Sequence, residues 1–458
     1  MQSPPTKAKK WHPWADKGTL GNDGKTPNNT TFFDAKTRSL LDQALAERLD
    51  RFTGWDLSNI NAQNSYIKAA SCFKRGVPVK YNDQEEPCTH LNGSYPIEII
   101  SPEIAPAEAL KHAFDKQQLF IVMDKSILDH WDLSPIKAHY LMEANEKNKN
   151  IDTVEAICKT AKGVGNPMHW LIIGGGITAD TAAFAAHLMQ KTFTLVPTTL
   201  LSMADACVGG KTGVNAAPFG KNLIGAFAFP SKVMVIPQFL TSLSTRVLRS
   251  GGAECLKHAF LAGEPKKAQK ISQALKQEDL ASLSEELKFI IELKAKVVAE
   301  DPTEKGKRAI LNLGHTLAHA LEAISHKNRS PDDHIQHGEA VAVGLSFCFL
   351  MSKQQIPESK PSMDEMISCL VKSGLLPPRN QLEKHLGFSL EDDKLWPEIK
   401  SFILNDKKMS DNNQESSNWI LLKSWGKIHS DQPEGFLVPL TMQEVHQAWL
   451  TFLDEYTL

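Results

Sequence analysis

An α/β domain with a mostly parallel sheet, followed by an all-α domain, is the fold that the sequence predicts, and three observations predict it. Short apolar runs at residues 96–100, 119–123, 170–173, 193–196 and 233–236 alternate with helical stretches, as strands covered on both faces by crossover helices do. Beyond about residue 241 the alternation stops, and long segments of helical period follow at 280–300, 309–324 and 339–351. A chain of 458 residues also exceeds what one core usually fills, which favours two domains and an appendage.

The appendage comes first. Residues 1–92 are rich in Pro, Asn, Lys and Asp, and only the stretch 34–51 sets Leu40, Leu41, Ala44, Leu45 and Leu49 at helical spacing. This extension is expected to be partly disordered, and the residues assign it no role. Residues 93–240 make the expected α/β domain and residues 241–458 the expected helical one.

Composition narrows the function. With 51 basic against 53 acidic residues the chain has no broad charge to draw it to nucleic acid or an anionic membrane. Its 7 cysteines are scattered and form no C-x-x-C pair, so neither a disulfide framework nor a thiolate zinc site is expected. A reducing cytoplasm is the expected location. The first ten residues are cationic but no apolar stretch follows them, and no run of about 18 apolar residues occurs, so neither export nor a membrane span is expected.

Within the α/β domain, the run 119–123 ends at Asp124. An acid there can accept from ribose hydroxyls or simply cap the next turn. Glu146 and Lys149 fall in the polar run 143–150, where spacing alone reads them as solvated. The run 170–173 leads through Gly174, Gly175 and Gly176 into an alanine-rich helix expected at 181–190. Glycines let the backbone approach a pyrophosphate, and a helix N-terminus offers it free N–H groups and partial positive charge. A plain tight turn is the alternative, since this is not G-x-G-x-x-G.

In the helical domain His315 and His319 stand at i and i+4, on one helical face, the spacing by which two imidazoles can share an ion. Glu254 and the triplet His337-Gly338-Glu339 add a carboxylate and a further imidazole. Two imidazoles and a carboxylate leave positions open for substrate, as a catalytic metal site requires. Lys211, Lys221 and Asn222 lie in glycine-rich surroundings and, with Lys257, Lys294, Arg308 and the pair Lys407-Lys408, are candidates to surround an anionic substrate. A solvated cation is the alternative for each. Gly210-Lys211-Thr212 is not a Walker A loop, because the required upstream glycine is missing.

From Tyr95 onward the string resembles 3-dehydroquinate synthase, the type member of the sugar phosphate cyclases. The resemblance is carried by Gly174-Gly175-Gly176 with Asp180, by Pro197-Thr198-Thr199-Leu200-Leu201-Ser202, and by Gly209-Gly210-Lys211-Thr212-Gly213-Val214-Asn215. Gly220-Lys221-Asn222, Glu292-Leu293-Lys294 and Leu311-Asn312-Leu313-Gly314-His315-Thr316 continue it in the family's order. It implies a dehydroquinate synthase-like fold holding NAD and one divalent metal, zinc or cobalt, in an interdomain cleft. By resemblance the metal ligands are Glu254, His315 and His337, while His319 is a catalytic histidine that contacts substrate. Asp205, Lys211, Lys257, Lys294, Arg308, Asn312, Lys221 and Asn222 match substrate-site positions. Asp124, Glu146, Lys149, Gly175, Gly176 and Asp180 match NAD-binding ones, with Thr198, Thr199, Lys211 and Lys221 also expected near the cofactor.

The implied reaction converts 3-deoxy-D-arabino-heptulosonate 7-phosphate to 3-dehydroquinate and phosphate, in the shikimate pathway. It proceeds by transient oxidation at C5, elimination of phosphate, re-reduction and intramolecular aldol closure, so NAD is regenerated within one turnover. A homodimer is expected. The chain departs from the family pattern in three places. A segment without arginine, 188–193, stands where the family usually has Arg-Gly, leaving Lys191 as the nearest cation; the Gly-Glu-x-x-Lys element has lost its glycine before Glu146 and Lys149; and residues 1–92 have no counterpart. Retention of His319, with Gly220-Lys221-Asn222, favours the dehydroquinate branch over cyclases acting on sedoheptulose 7-phosphate, and an amino-dehydroquinate or 2-deoxy-scyllo-inosose synthase-like cyclase is one alternative. Metal-dependent polyol or glycerol phosphate dehydrogenases of the same fold, and a paralogue that has lost catalysis, are the remaining alternatives.

Overall fold

Apolar runs too short for helices and bounded by turns become the strands of one sheet, and their order along it decides where a ligand can sit. The structure is a computed structural model and describes residues 95–456 apart from 115–117, 217–219, 302–303, 305, 407–415 and 431–434. The expected helix at 34–51, the extension that holds it and the Lys407-Lys408 pair lie outside the described residues. The chain forms two compact units that part between Ser242 and Leu243.

The first unit runs β1 (Ile97–Ile99), α1 (Pro106–Phe114), β2 (Leu119–Asp124), β3 (Tyr140–Met142), α2 (Ile151–Gly163), β4 (His169–Gly174) and α3 (Gly176–Leu188). It continues with β5 (Thr192–Pro197), β6 (Lys211–Ala216), β7 (Gly220–Phe227) and β8 (Lys232–Val235). Six strands pair in the order β1-β8-β5-β4-β2-β3, every pair parallel, while β6 and β7 form a separate antiparallel hairpin. All five expected strands are present, and β3 joins them at the sheet edge. From β2 the chain steps outward to β3 and then returns to β4 on the other side of β2, so the strand order reverses there. Open parallel sheets bind ligands outside the carboxyl ends of their strands at such a reversal. Asp124 ends β2 and Gly174 ends β4, on adjacent strands.

Helix α3 begins at Gly176, five residues before the expected start, so the glycines themselves form its entrance. Nine of its thirteen residues are buried, among them Ala182, Ala183, Phe184, Ala185 and Ala186. Small side chains on nearly every face let it lie close to the sheet, which holds its N-terminus at the reversal point.

The second unit is helical: α4 (Thr245–Ala262), α5 (Pro265–Gln277), α6 (Leu280–Glu300), α7 (His315–Asn328), α8 (His337–Gln355), α9 (Lys360–Lys372), α10 (Arg379–Leu386) and α11 (Leu395–Asp406). Four short strands follow, β9 (Ser416–Trp419), β10 (Leu421–Ser424), β11 (Lys427–His429) and β12 (Val438–Thr441), before α12 (Met442–Glu455). They make two antiparallel ribbons, β10 with β11 and β9 with β12, which are additions to the helical domain expected. The helical period at 309–324 does not give one helix: a 3-10 turn, Lys307–Asn312, is followed by Gly314 at φ +80° and then α7. That left-handed glycine turns the chain before the first histidine.

Helix α8 is the centre of this unit, with Gly338 and every residue from Ala340 to Ser352 buried. Two glycines let its neighbours come to backbone contact. A methyl group on Gly338 would lie 1.8 Å from the carbonyl oxygen of Ser250 in α4, and one on Gly344 would lie 2.0 Å from that of Gly314, just ahead of α7. Ser250 also accepts the Gly338 N–H at 3.0 Å. These approaches bring the first turns of α7 and α8 beside the middle of α4.

Candidate functional site

Each of those three helices contributes one donor. Glu254 comes from the middle of α4, His315 is the first residue of α7 and His337 the first of α8. Oε1 of Glu254 lies 3.4 Å from Nε2 of His315 and 3.4 Å from Nε2 of His337. That separation is long for an N–H···O hydrogen bond. It matches the edge of a tetrahedron, because two ligand atoms about 2.1 Å from one ion at a tetrahedral angle stand about 3.4 Å apart. The donor chemistry, two imidazole nitrogens and a carboxylate oxygen, is that of a zinc or cobalt site with a position left for substrate.

The protonation states follow from the surroundings. Glu254 is fully buried, and burial raises its pKa, but the Lys257 ammonium and the two histidines outweigh this and hold it well below the usual carboxylate range. Burial, helped by the charge of Lys257, lowers His315 to about 4, so its ring is neutral as a ligand must be. Burial also opposes charge on His337, but the carboxylates of Glu322 and Glu254 win and push it up to about 10 in the metal-free chain.

The other side of each ring is also held. His315 Nδ1 lies 3.2 Å from the carbonyl of Leu313, and His337 Nδ1 lies 3.5 Å from Oε2 of Glu322. Glu322 was not singled out from the sequence. Its signal was there: His315, His319 and Glu322 sit at i, i+4 and i+7 on one face of α7. The ring of His319 stands 5.5 Å from that of His315, edge-on at 89°.

Three cations are buried in the same unit, Lys257 at 1%, Arg308 at 2% and Lys294 at 5% exposure, against the solvated alternative. Charges are buried at high cost unless partnered by anions or strong acceptors. Lys257 lies against the Glu254 carboxylate and donates to the carbonyl of Leu311 at 2.6 Å, which joins the metal donors to the 3-10 turn carrying Arg308 and Asn312. Asn312 donates to Glu304 at 2.8 Å, and the Arg308 main-chain N–H donates to Asp301 at 3.1 Å.

In the first unit the glycine turn is packed closely against its neighbours. A Cβ on Gly174 would collide with Thr178 at 2.6 Å, and one on Gly175 would crowd the methyl of Thr199 at 3.1 Å. The N-cap of α3 is Gly175, so no side chain of its own caps the first turn, whose N–H groups point out of the helix end. Thr198 donates its main-chain N–H to Gly174 at 3.1 Å, and Thr199 Oγ1 accepts from Ser202 N–H at 3.2 Å. Asp124 accepts from the Ser126 main chain at 3.0 Å and hydroxyl at 2.9 Å, a capping geometry, and burial raises its pKa.

Lys149 is not solvated: it is 6% exposed and donates to Asp180, on the first turns of α3, at 2.6 Å. Lys221 stands 3.3 Å from Glu146, and together with Lys149 its charge outweighs burial to lower the Glu146 pKa. Asn215, also passed over by the sequence reading, donates to Glu146 Oε2 at 2.8 Å and accepts from the Asn222 N–H at 3.0 Å. One polar network thus ties the loop after β3, the entrance of α3 and the β6–β7 hairpin. Asn222 adopts φ +53°, which an asparagine tolerates better than most residues. Asp205 lies in the π turn Ser202–Ala206 and Lys211 opens β6. Lys191 donates to the carbonyl of Asn166 at 3.3 Å.

Residues 139–250 match the 3-dehydroquinate synthase N-terminal family and residues 251–409 the 3-dehydroquinate synthase C-terminal family. The chain is 36% identical over 298 residues to 3-dehydroquinate synthase of Legionella pneumophila (strain Corby), covering 61% of this chain and 78% of the relative. It is 35% identical over 307 residues to that of Methylacidiphilum infernorum, covering 63% and 83%. Among solved structures, 2-deoxy-scyllo-inosose synthase with carbaglucose-6-phosphate, NAD+ and Co2+ has the same fold, with a TM-score of 0.61, 22% identity, and coverage of 77% of this chain and 95% of that one. With matches to both halves of the family and this identity over most of the relatives' length, the chain belongs to the 3-dehydroquinate synthase family.

Proposed function

We propose that this chain is an NAD- and metal-dependent lyase that converts 3-deoxy-D-arabino-heptulosonate 7-phosphate to 3-dehydroquinate and phosphate. The observation that carries the reading is the convergence of Glu254, His315 and His337 at tetrahedral edge lengths of 3.4 Å, in a chain of this family. When bound, NAD supplies a reversible hydride acceptor and the zinc or cobalt ion a Lewis acid that acidifies the substrate carbinol.

The residues of this chain do the rest. Gly175, Gly176 and the first turn of α3 take the NAD pyrophosphate, with Thr198 and Thr199 walling the turn. Asp124 accepts from ribose, and Glu146, Lys149, Asp180 and Lys221 hold the loops around the cofactor in one arrangement. In the helical unit Lys257, Lys294, Arg308 and Asn312 grip the substrate's carboxylate, phosphate and hydroxyls, so that one orientation survives several steps. Buried cations suit this role, because a guanidinium or ammonium removed from water binds an anion more strongly than an exposed one. His319, beside the metal donors, exchanges protons with the substrate as the ring is opened and closed. The family resemblance adds Asp205, Lys211 and Asn222 to the substrate-contacting residues. A phosphorylated sugar acid is the partner. The homodimer and the cytoplasmic location belong to the same reading and rest on the family resemblance.

Purified protein supplied with NAD and Co2+ or Zn2+ should release phosphate from this C7 sugar acid phosphate and not from a panel of C6 and other C7 sugar phosphates. A chelator should abolish release and added metal should restore it. Release from another member of the panel alone would assign the chain to a different cyclase, and no release from any would leave it a non-catalytic relative.

A further inference from the structure

The three donors of the metal site are not held equally well. Side-chain exposure is 0% for Glu254 and 12% for His315, but 28% for His337, so packing alone leaves the His337 ring the freest to turn. His315 finds its outer acceptor two residues away, in the carbonyl of Leu313 at 3.2 Å. His337 finds its own on a different helix: Oε2 of Glu322 on α7 lies 3.5 Å from Nδ1, while Nε2 faces Glu254 at 3.4 Å. Glu322 is itself 15% exposed and lies two turns beyond His315.

We propose that Glu322 is a positioning residue for the metal: its carboxylate, facing Nδ1 of His337 at 3.5 Å, attracts the proton on that nitrogen and so fixes the ring and the tautomer in which Nε2 is free to bind the ion. Two physical effects follow from that contact. A ring rotated by half a turn about its Cβ–Cγ bond would offer carbon instead of nitrogen to the ion, and the charge attraction at Nδ1 opposes this rotation. A carboxylate behind an imidazole also raises its basicity, strengthening the bond on the opposite nitrogen. Because α7 carries both His315 and Glu322, one rigid helix sets the position of one ligand and the orientation of another.

This inference rests on the metal reading, and one titration separates the two. Co2+ affinity of the metal-stripped full chain, measured by chelator competition, is compared for the wild type, Glu322→Asp, Glu322→Gln and Glu322→Ala, with the absorption spectrum of bound Co2+ and the thermal midpoint of each apoprotein. Affinity should fall in that order, by about 10–100-fold for Glu322→Ala, as loss of such an outer partner typically causes. The Co2+ spectrum of Glu322→Gln and Glu322→Ala should change, and the order should follow the retained charge and not the thermal midpoint. A wild type that takes up no Co2+ would overturn the metal reading and this inference with it. A wild type that binds while the series stays flat, or an order that tracks the thermal midpoint, would overturn the role of Glu322 alone.

Discussion

Gly344→Ala places one methyl group where the fold has no room for it, and the consequence can be worked through. The new Cβ would lie 2.0 Å from the carbonyl oxygen of Gly314, where ordinary contact begins at 3.4 Å, so the two backbones must part by 3.4 − 2.0 = 1.4 Å. Gly314 precedes His315 directly, and metal–ligand bonds tolerate only about 0.2 Å of error. The displacement is several times that tolerance, so His315 drops out of register with Glu254 and His337. Co2+ affinity should fall by at least about 100-fold, beyond what loss of an outer partner alone causes. Overpacking of this kind costs about 1–3 kcal/mol. At about 2–4 °C per kcal/mol for a unit of this size, the thermal midpoint should drop by about 2–12 °C. Chelator-competition titration and calorimetry on the same preparation check both numbers. Gly163→Ala is the control, since a methyl there meets nothing within 4 Å. A Gly344→Ala protein with wild-type Co2+ affinity and midpoint would refute the claim that glycine contact between these helices sets the metal geometry.

Other perturbations test other parts. His337→Ala should lose metal and activity together, whereas His319→Ala should keep its metal, as metal analysis after dialysis would reveal, and turn over at least about 100-fold more slowly as expected for loss of an acid–base group; equal metal loss in both would contradict the division of roles. The raised pKa of His337 in the metal-free chain means that a proton competes with the ion, so Co2+ affinity should climb as pH rises, by about tenfold per unit between about pH 6 and pH 8, with about one proton released per ion bound. Affinity that stays flat over that window, measured by titration in several buffers, would contradict it. Lys149→Met leaves Asp180 largely buried without its cation and should destabilise the protein by about 3–5 kcal/mol while weakening NAD binding. The double variant Lys149→Met with Asp180→Leu should recover the thermal midpoint without recovering NAD affinity; recovery of both would mean the pair serves the fold alone.

The continuous apolar runs made β2, β4, β5 and β8 legible, because strands covered on both faces need no polar alternation. β3 offers only Tyr140, Leu141 and Met142, with Leu141 exposed, too little pattern to stand out from a loop. The ribbons β9 to β12 are equally short, and their pairing is a tertiary fact. Periodicity carried across Gly314 because a glycine inside a helical pattern looks tolerable, while its φ of +80° and its contact with Gly344 from far along the chain are tertiary facts.

At the site, residue types were legible and contacts were not. Glu254, His315 and His337 announced metal chemistry, but only the backbone approaches at Gly338 and Gly344 bring them to 3.4 Å. Lys149 reads as solvated in a polar run, and its burial depends on Asp180 arriving at the entrance of α3. Asn215 lies inside a quoted motif and Glu322 just beyond one, yet nothing local distinguishes a side chain that orients a neighbour from one that faces water.

The proposed chemistry oxidises and re-reduces the same molecule, which separates it from every dehydrogenase of the same fold. The decisive measurement follows phosphate release and nicotinamide redox state together in one reaction of the metal-loaded protein with the C7 sugar acid phosphate and catalytic NAD. Phosphate should accumulate far beyond the enzyme present while no NADH builds up. NADH rising in step with substrate consumed would contradict the cyclase reading and make this chain a dehydrogenase.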